Sequence, residues 1–223
     1  VKIGTITMVD AGSPSVLFDP VTGHGYELVA GAVTWEAARD AAAAKGGYLA
    51  ILDTPTEMQM INDKFSLGPA TGSDGTWIGA QQAPGSPEPA GGWTWLNGTP
   101  LDASPASPLW NNQGGAAEPN DSGGENFAAI FEGTGTNLIY DAGIGGTSTQ
   151  AAYLVEYDGP LRTSTGAVVA PGQEIAAADL AAGLSWNSVF NAGGTVTFAV
   201  ADSQGAFSTP ENTLTIAAPP AAT

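Results

Sequence analysis

Acidic and amide side chains cluster around one proline in the middle of this sequence. Glu118, Pro119 and Asn120 are consecutive, Glu125 follows after a short glycine-containing stretch, and Asp141 lies farther along the chain. Calcium prefers several oxygen ligands from carboxylates, amide carbonyls and the backbone. The spacing therefore predicts a cation site built around a turn, although the Glu-Pro-Asn triplet alone is a weak signal because any acidic loop can contain it.

The charge balance narrows the classes of partner. The 223 residues include 22 acidic and 5 basic side chains, which gives a formal net charge of −17. Nucleic-acid phosphates require lysine and arginine, and anionic lipid also attracts basic segments, so neither is an expected partner. The acidity suits a protein that works in calcium-containing or saline surroundings, and it equally serves solubility alone.

Cysteine is absent, whereas glycine occurs 31 times and proline 16 times. Small secreted domains often depend on disulfides, so a core and a bound metal are expected to hold this fold instead. No apolar run approaches the length that spans a membrane, and no basic-then-apolar leader is visible. Residues 219–223 are typical of a linker, and the sequence is expected to be a piece cut from a longer polypeptide.

Two helices are predicted by their capping residues. Thr34 is expected to begin a helix that continues through Lys45. Thr54, Pro55 and Glu57 match a capping box with proline at the first helical position. The second helix is expected to present Met58, Ile61 and Phe65 to the core and to end at Gly68-Pro69.

Short strands surround these helices. Alternating or β-branched runs predict strands at 1–8, 25–29, 48–52, 76–80, 92–96, 125–131, 138–141 and 152–157. The stretch 97–124 is a long loop, which in a compact domain is usually functional or disordered. The tryptophans are expected to lie in the core because aromatic side chains dominate burial; they are Trp77, Trp93, Trp95 and Trp110.

Beyond Asp158-Gly159-Pro160 the pattern becomes all-β. Strands are predicted at 166–175, 184–190, 195–201 and 208–217, with a turn at Asp202–Gly205. Short strands that alternate and are separated by turns are typical of a β-sandwich.

The segment from Gly25 to Tyr157 resembles a C-type lectin-like domain. The order of strands and helices is similar, and so are Trp77-Ile78-Gly79-Ala80, Trp93-Thr94-Trp95 and Glu118-Pro119-Asn120. The resemblance implies an α+β fold with two helices, short antiparallel strands and a long loop, placed here at 21–158.

The same resemblance implies a calcium site and a sugar. The implied calcium ligands are Glu118, Asn120, Glu125 and Asp141, with a cis peptide bond before Pro119. The implied partner is a cell-surface glycan whose fucose- or mannose-like vicinal diol completes the calcium shell. The residues expected to contact it are the four calcium ligands together with Tyr140 and Asp121.

Three departures from the family pattern bear on this site. The usual disulfides are missing, which removes a few kcal/mol of stabilisation. Tyr140 stands where an asparagine ligand is expected, so the site would lack one oxygen or recruit Asn137, Asp121 or water. Residues 111–117 are additional to the family spacing between Trp110 and the Glu-Pro-Asn triplet.

The flanking segments carry a second resemblance, to immunoglobulin- or cadherin-like repeats of large bacterial RTX-type adhesins. It implies an extracellular, cell-surface protein with neighbouring domains in a longer chain. A β-sandwich is expected at 159–218. Residues 1–20 contribute one strand, which by hypothesis completes the same sandwich and makes the lectin-like segment an insertion.

Other functions remain open at this point. The fold could be lectin-like and bind a protein or peptide, with calcium serving rigidity only. Glu118 and Glu125 could form a glycosidase pair, but the glycine- and asparagine-rich loop does not suit the drier pocket that one raised pKa requires. His24 is the single histidine, which disfavours a zinc site or a catalytic triad. The chain is therefore expected to bind rather than to catalyse.

Overall fold

The computed structural model describes residues 1–8, 16–68, 74–112, 117–133, 138–143, 148–187, 189–190, 193–202, 204–209 and 211–217. The predictions made for Pro69, Asn137 and 219–223 lie outside them. The helices are Trp35–Ala44 (α1), Pro55–Lys64 (α2) and Ala177–Ala182 (α3). The strands are Lys2–Met8 (β1), Leu17–Phe18 (β2), Gly25–Thr34 (β3), Tyr48–Leu49 (β4), Thr76–Gln82 (β5), Trp93–Trp95 (β6), Phe127–Ile130 (β7), Ile139–Ala142 (β8), Thr149–Tyr157 (β9), Leu161–Thr163 (β10), Leu184–Trp186 (β11), Gly194–Ala199 (β12) and Asn212–Ile216 (β13).

The chain divides into two compact units. One unit is Leu28–Glu156, and the other combines Val1–Glu27 with Tyr157–Thr223. In the part of the chain that the structure describes, no helix is long and apolar enough to cross a membrane.

Both helices of the Leu28–Glu156 unit begin at the predicted caps. The Thr34 hydroxyl accepts a hydrogen bond from the Ala37 amide at 3.3 Å, and the Thr54 hydroxyl accepts one from the Glu57 amide at 3.2 Å. The prediction that Phe65 belongs to α2 is wrong, because Phe65 is already extended with φ −118°. The helix ends at this point because the chain must extend to bury Leu67, which is 1% exposed.

A mixed sheet forms the frame of this unit. Its strand order is β3-β9-β5-β7-β8, with β4 paired to β9 and β6 paired to β5. The expectation of antiparallel strands is wrong at one pair, because β5 and β9 run parallel through Thr76↔Ala152 and Trp77↔Tyr153. Parallel pairing requires a long crossover, which the segment from β6 to β8 supplies.

The predicted tryptophan core is confirmed. Trp77 and Trp110 are 0% exposed, and Trp93 and Trp95 are 2% exposed. The Trp110 ring meets the Trp93 ring edge to face, with centroids 4.8 Å apart. Trp110 also forms a parallel bridge with Ile139 of β8, so the long loop is fixed against the sheet before it reaches the acidic turn.

The other unit contains a three-stranded antiparallel sheet in the order β1-β12-β13 and a two-stranded sheet of β10 and β11. The N-terminal strand β1 therefore pairs with the C-terminal strand β12, while the split domain and the immunoglobulin-like sandwich remain predictions. The predicted strand at 166–175 is wrong, because its turns place Gly166 and Gly172 at φ +86° and +81°. Helix α3 was not predicted, and it carries no side-chain cap.

Candidate cation and ligand site

The acidic turn lies at the end of the long loop, before β7. The peptide bond between Glu118 and Pro119 is cis, as the family resemblance implies. The Glu118 amide donates to the Asn111 carbonyl oxygen at 2.7 Å, which anchors the turn at its start. Glu118 is half-buried, Pro119 is buried and Asn120 is exposed, so the turn presents its amide side chain to solvent.

Asp141 on β8 anchors the other side of the turn. Its two carboxylate oxygens both accept from the Asn120 amide at 3.0 Å, and Oδ2 also accepts from the Asp121 amide at 2.6 Å. Asp141 is only 5% exposed. Hydrogen bonds from backbone N–H groups to a carboxylate are charge-assisted and strong, so β8 determines where the turn lies.

Asp121 stabilises the backbone conformation of the turn. Its backbone φ is +51°, and its Oδ1 accepts from the Glu125 amide at 3.0 Å. A left-handed conformation is uncommon for a residue other than glycine and is several-fold enriched for aspartate. This bond brings Glu125 back toward the residues that precede it.

The Asn120 and Glu118 side chains are in direct contact. Asn120 Nδ2 donates to Glu118 Oε2 at 2.8 Å. Glu118 is in turn hydrogen-bonded to Asp141. The Asn120 side-chain amide and the Glu118 and Asp141 carboxyl groups therefore lie within hydrogen-bonding distance, although Glu118 and Asp141 are 23 residues apart in the sequence.

Burial, together with the convergence of carboxylates, raises two pKa values. Burial raises the pKa of Glu118 to about 9, and the hydrogen bond and charge of Asp141 contribute next. Burial also raises the pKa of Glu125 to about 7, with the charges of Asp141 and Asp121 as further causes. Among the described residues, no lysine or arginine contributes to these two pKa shifts. In the absence of a cation the carboxyl groups therefore retain protons at neutral pH, because no basic partner among these groups stabilises their charged forms. The expectation that this loop does not suit a raised pKa is wrong.

Tyr140 stands beside this cluster. Its ring contacts Phe131 edge to face with centroids 4.9 Å apart, and its hydroxyl accepts a hydrogen bond from Asn111 Nδ2. Burial, followed by the charge of Glu118, raises the pKa of the Tyr140 phenol. The phenol is therefore close enough to Glu118 for the two groups to interact electrostatically.

Sequence reasoning missed Asn111 as a member of the site. From the sequence, Asn111 is only the first of the additional residues after Trp110. Its amide donates to the Ile139 carbonyl oxygen at 2.9 Å, so the segment around Trp110 pairs with β8. No local sequence signal marks this pairing, because its partner lies almost thirty residues away.

The structure brings the six predicted site residues to one region. Glu118, Asn120, Asp121 and Asp141 are joined by hydrogen bonds, Glu125 follows through Asp121, and Tyr140 stands beside Glu118. The donor set available for a cation consists of carboxylate and amide oxygens, which suits a hard cation such as calcium. The residues therefore fit a calcium ion by their chemistry, and no lysine or arginine is among the groups that shift the pKa values of Glu118 and Glu125.

Comparison with known sequences identifies one relative of interest. No protein-family model matches the chain. Halomucin of Haloquadratum walsbyi (strain DSM 16790 / HBSQ001) is similar, with 32% identity over 181 residues. The match covers 69% of this chain, but this chain spans only 2% of the length of halomucin.

Solved structures show a distant likeness to carbohydrate-recognition domains of the C type. The mouse scavenger receptor C-type lectin domain has 19% identity and a TM-score of 0.49, covering 67% of this chain and 99% of that chain. The cow CD23 domain, solved in the presence of GlcNAc2Man3 oligosaccharide, has 24% identity and a TM-score of 0.47. The match covers 66% of this chain and 95% of that chain. A calcium-independent type II antifreeze protein has 21% identity and a TM-score of 0.45, and the match covers 66% of this chain and 93% of that chain. Nothing about the ligand of this chain follows from likenesses of this size.

Proposed function

We propose that this chain is a calcium-dependent carbohydrate-binding module with a C-type lectin-like fold. The observation that carries the proposal is the convergence of Glu118, Glu125 and Asp141 with the Asn120 amide, without a basic residue among the interactions that shift the pKa values of Glu118 and Glu125. Carboxylates held together in this way are stabilised by a bound cation. The order of the sequence motifs supports two further parts of the proposal, the C-type lectin-like fold and the binding of a sugar.

The residues of the turn have distinct roles in this proposal. Calcium, when bound, supplies coordination positions for two neighbouring hydroxyl groups of a ligand. Asp141 holds the turn through the Asn120 and Asp121 amides, so that the side chains of Glu118 and Asn120 are fixed relative to β8. Ionised Glu118 and Glu125 accept hydrogen bonds from ligand hydroxyls, and the Asn120 amide donates one.

The proposed ligands are glycans that present a fucose- or mannose-like vicinal diol on a cell surface. Calcium sites of extracellular modules have calcium dissociation constants of about 10⁻⁴ to 10⁻³ M, so this site is expected to fill only at comparable calcium concentrations. Repetition of the module would raise the overall affinity by multivalency. The similarity to a small part of a much larger protein supports a place in a longer chain, for which the proposed role is that of an extracellular adhesin.

One observation favours a second candidate function, the binding of a protein or peptide with calcium in a structural role. Residue 140 is a tyrosine, where the family resemblance implies an asparagine ligand. Its phenol bonds Asn111 and its ring contacts Phe131. A site without that asparagine would still hold a cation but would lack one amide that donates a hydrogen bond to a diol hydroxyl.

A glycan array separates these candidates. Binding is measured in calcium, in EGTA, and with the variants Glu118→Gln and Glu132→Gln. Glu132 is the matched control, because it is exposed and is not among the groups that shift the pKa values of Glu118, Glu125 and Tyr140. The proposal predicts binding to fucose- or mannose-type glycans that disappears with EGTA and with Glu118→Gln and persists with Glu132→Gln.

Two other outcomes of the array are informative. If no glycan binds but calcium still raises the melting temperature, the cation is structural and the second candidate function is favoured. If calcium neither promotes binding nor raises the melting temperature, the cation site itself is refuted. Turnover of an aryl glycoside in EGTA would instead indicate a hydrolase.

A further inference from the structure

Tyr140 is held at the edge of the acidic turn by contacts on two sides. Its ring meets the Phe131 ring at an interplanar angle of 77°, and its hydroxyl oxygen accepts from Asn111 Nδ2. Asn111 is itself fixed, because its amide donates to the Ile139 carbonyl oxygen and its carbonyl oxygen accepts from the Glu118 amide. The position of the phenol is therefore set by the same residue that anchors the turn.

The hydrogen bond from Asn111 determines what the phenol can do. A tyrosine hydroxyl both donates and accepts. Because its oxygen accepts the Asn111 proton, its own proton must point elsewhere, and the bonds found among the described residues give that proton no acceptor. A half-exposed donor is thus oriented beside Glu118.

The Asn120 side-chain amide is the other hydrogen-bond donor of the site, and one of its two protons is already used. One Asn120 Nδ2 proton is donated to Glu118 Oε2 at 2.8 Å. The remaining groups at the rim are carboxylates, which accept hydrogen bonds when ionised. A ligand hydroxyl that uses its proton toward a carboxylate still needs a donor for its own oxygen, and Tyr140 supplies one.

We propose that the Tyr140 hydroxyl donates a hydrogen bond to an oxygen of the bound sugar, and that Asn111 is the positioning residue that orients it. This inference rests on the proposed carbohydrate-binding function. It assigns Tyr140 to ligand selectivity rather than to the cation, because a neutral phenol is not among the oxygen ligands that calcium prefers. The substitution of an asparagine by a tyrosine would then exchange a cation ligand for a sugar contact.

The variant Tyr140→Phe removes the hydroxyl and keeps the ring on Phe131. Tyr153→Phe is the matched control, because Tyr153 is a buried tyrosine of β9. Calorimetry is performed with calcium alone, and then with methyl α-D-mannoside and methyl α-L-fucoside at saturating calcium. The loss of one neutral hydrogen bond lowers affinity roughly two- to tenfold. We expect this loss for the glycoside, with calcium affinity changed less than about twofold.

Deoxy analogues of the glycoside locate the partner of the phenol. The effect of Tyr140→Phe should vanish with the analogue that lacks the hydroxyl to which Tyr140 donates, because that bond is already absent. Asn111→Leu should lower glycoside affinity in the wild-type background and have no further effect in the Tyr140→Phe background. A merely structural role of Asn111 would give equal effects in both backgrounds.

The outcomes that overturn the inference are distinct from failure of the proposed function. Unchanged glycoside affinity in Tyr140→Phe, or a tenfold loss of calcium affinity, overturns the role of the phenol while the wild-type chain still binds sugar. Absence of glycoside binding by the wild-type chain refutes the carbohydrate-binding proposal, and this inference with it.

Discussion

Calcium binding should depend steeply on pH. The pKa of Glu118 is raised to about 9 and that of Glu125 to about 7, in both cases first by burial and then by neighbouring carboxylates. Ligand carboxylates must be deprotonated to bind a metal, so calcium competes with protons at both residues. Raising the pH removes these protons before calcium arrives, and the affinity for calcium therefore increases.

The size of the effect follows from the two pKa values. At pH 7 a group with a pKa of about 9 is about 99% protonated, and one with a pKa of about 7 is about half protonated. About 1.5 protons should then be released for each calcium ion bound at pH 7. Between pH 6 and pH 8 the two titrations together raise the affinity by roughly two to three orders of magnitude.

Isothermal titration calorimetry measures both quantities. Calcium is titrated at pH 6, 7 and 8, and at pH 7 in buffers with different ionisation enthalpies, whose slope gives the protons released. Glu132→Gln should behave as the wild type, because this residue is exposed and is not among the groups that shift the pKa values of Glu118 and Glu125. An affinity that changes less than threefold across this range, with no proton release, would refute the electrostatic account of the site.

The same pKa shifts determine how the stability of the calcium-free protein depends on pH. Both carboxyl groups bind protons more tightly in the folded state than at their ordinary pKa of 4.5. The folded state therefore holds more protons above pH 4.5, so the free energy of unfolding falls as the pH rises toward 9 for Glu118 and toward 7 for Glu125. Thermal unfolding should show this decline without calcium and its reversal with calcium.

Two further predictions concern the elements that position the site. Asp141→Asn replaces an acceptor oxygen with a donor that faces the Asn120 and Asp121 amides. Each lost charge-assisted hydrogen bond should lower the free energy of unfolding by about 1.5–3 kcal/mol. Weaker repulsion among the carboxylates partly offsets this loss. Chemical denaturation should detect this loss, and stabilisation by calcium should disappear; a variant that still gains stability from calcium would show that Asp141 is not a ligand. Trp110→Ala removes a fully buried ring from its contact with Trp93 and should lower the free energy of unfolding by about 3–5 kcal/mol. It should also weaken calcium binding, because Trp110 fixes the loop against β8, and unchanged calcium affinity would contradict that link.

The secondary structure was predictable wherever its signals are local. The caps at Thr34 and Thr54 predicted where α1 and α2 begin, because a side-chain oxygen at this position satisfies an amide that the helix leaves unpaired. Local signals failed where burial or pairing elsewhere was decisive. Phe65 leaves the helix so that Leu67 can be buried, and β5 pairs in parallel with β9, which no local pattern indicates.

The sequence by itself determined the chemistry that is available at the site. Consecutive Glu118, Pro119 and Asn120, followed by Glu125, place carboxylates and an amide in one short segment of the chain. The tertiary structure decided which distant residues join them. Asp141 and Asn111 anchor the two sides of the turn only because β8 and the segment around Trp110 lie against each other. Pairing of this kind depends on backbone hydrogen bonds and shared burial between segments far apart in sequence, so it could not be deduced from the residues themselves.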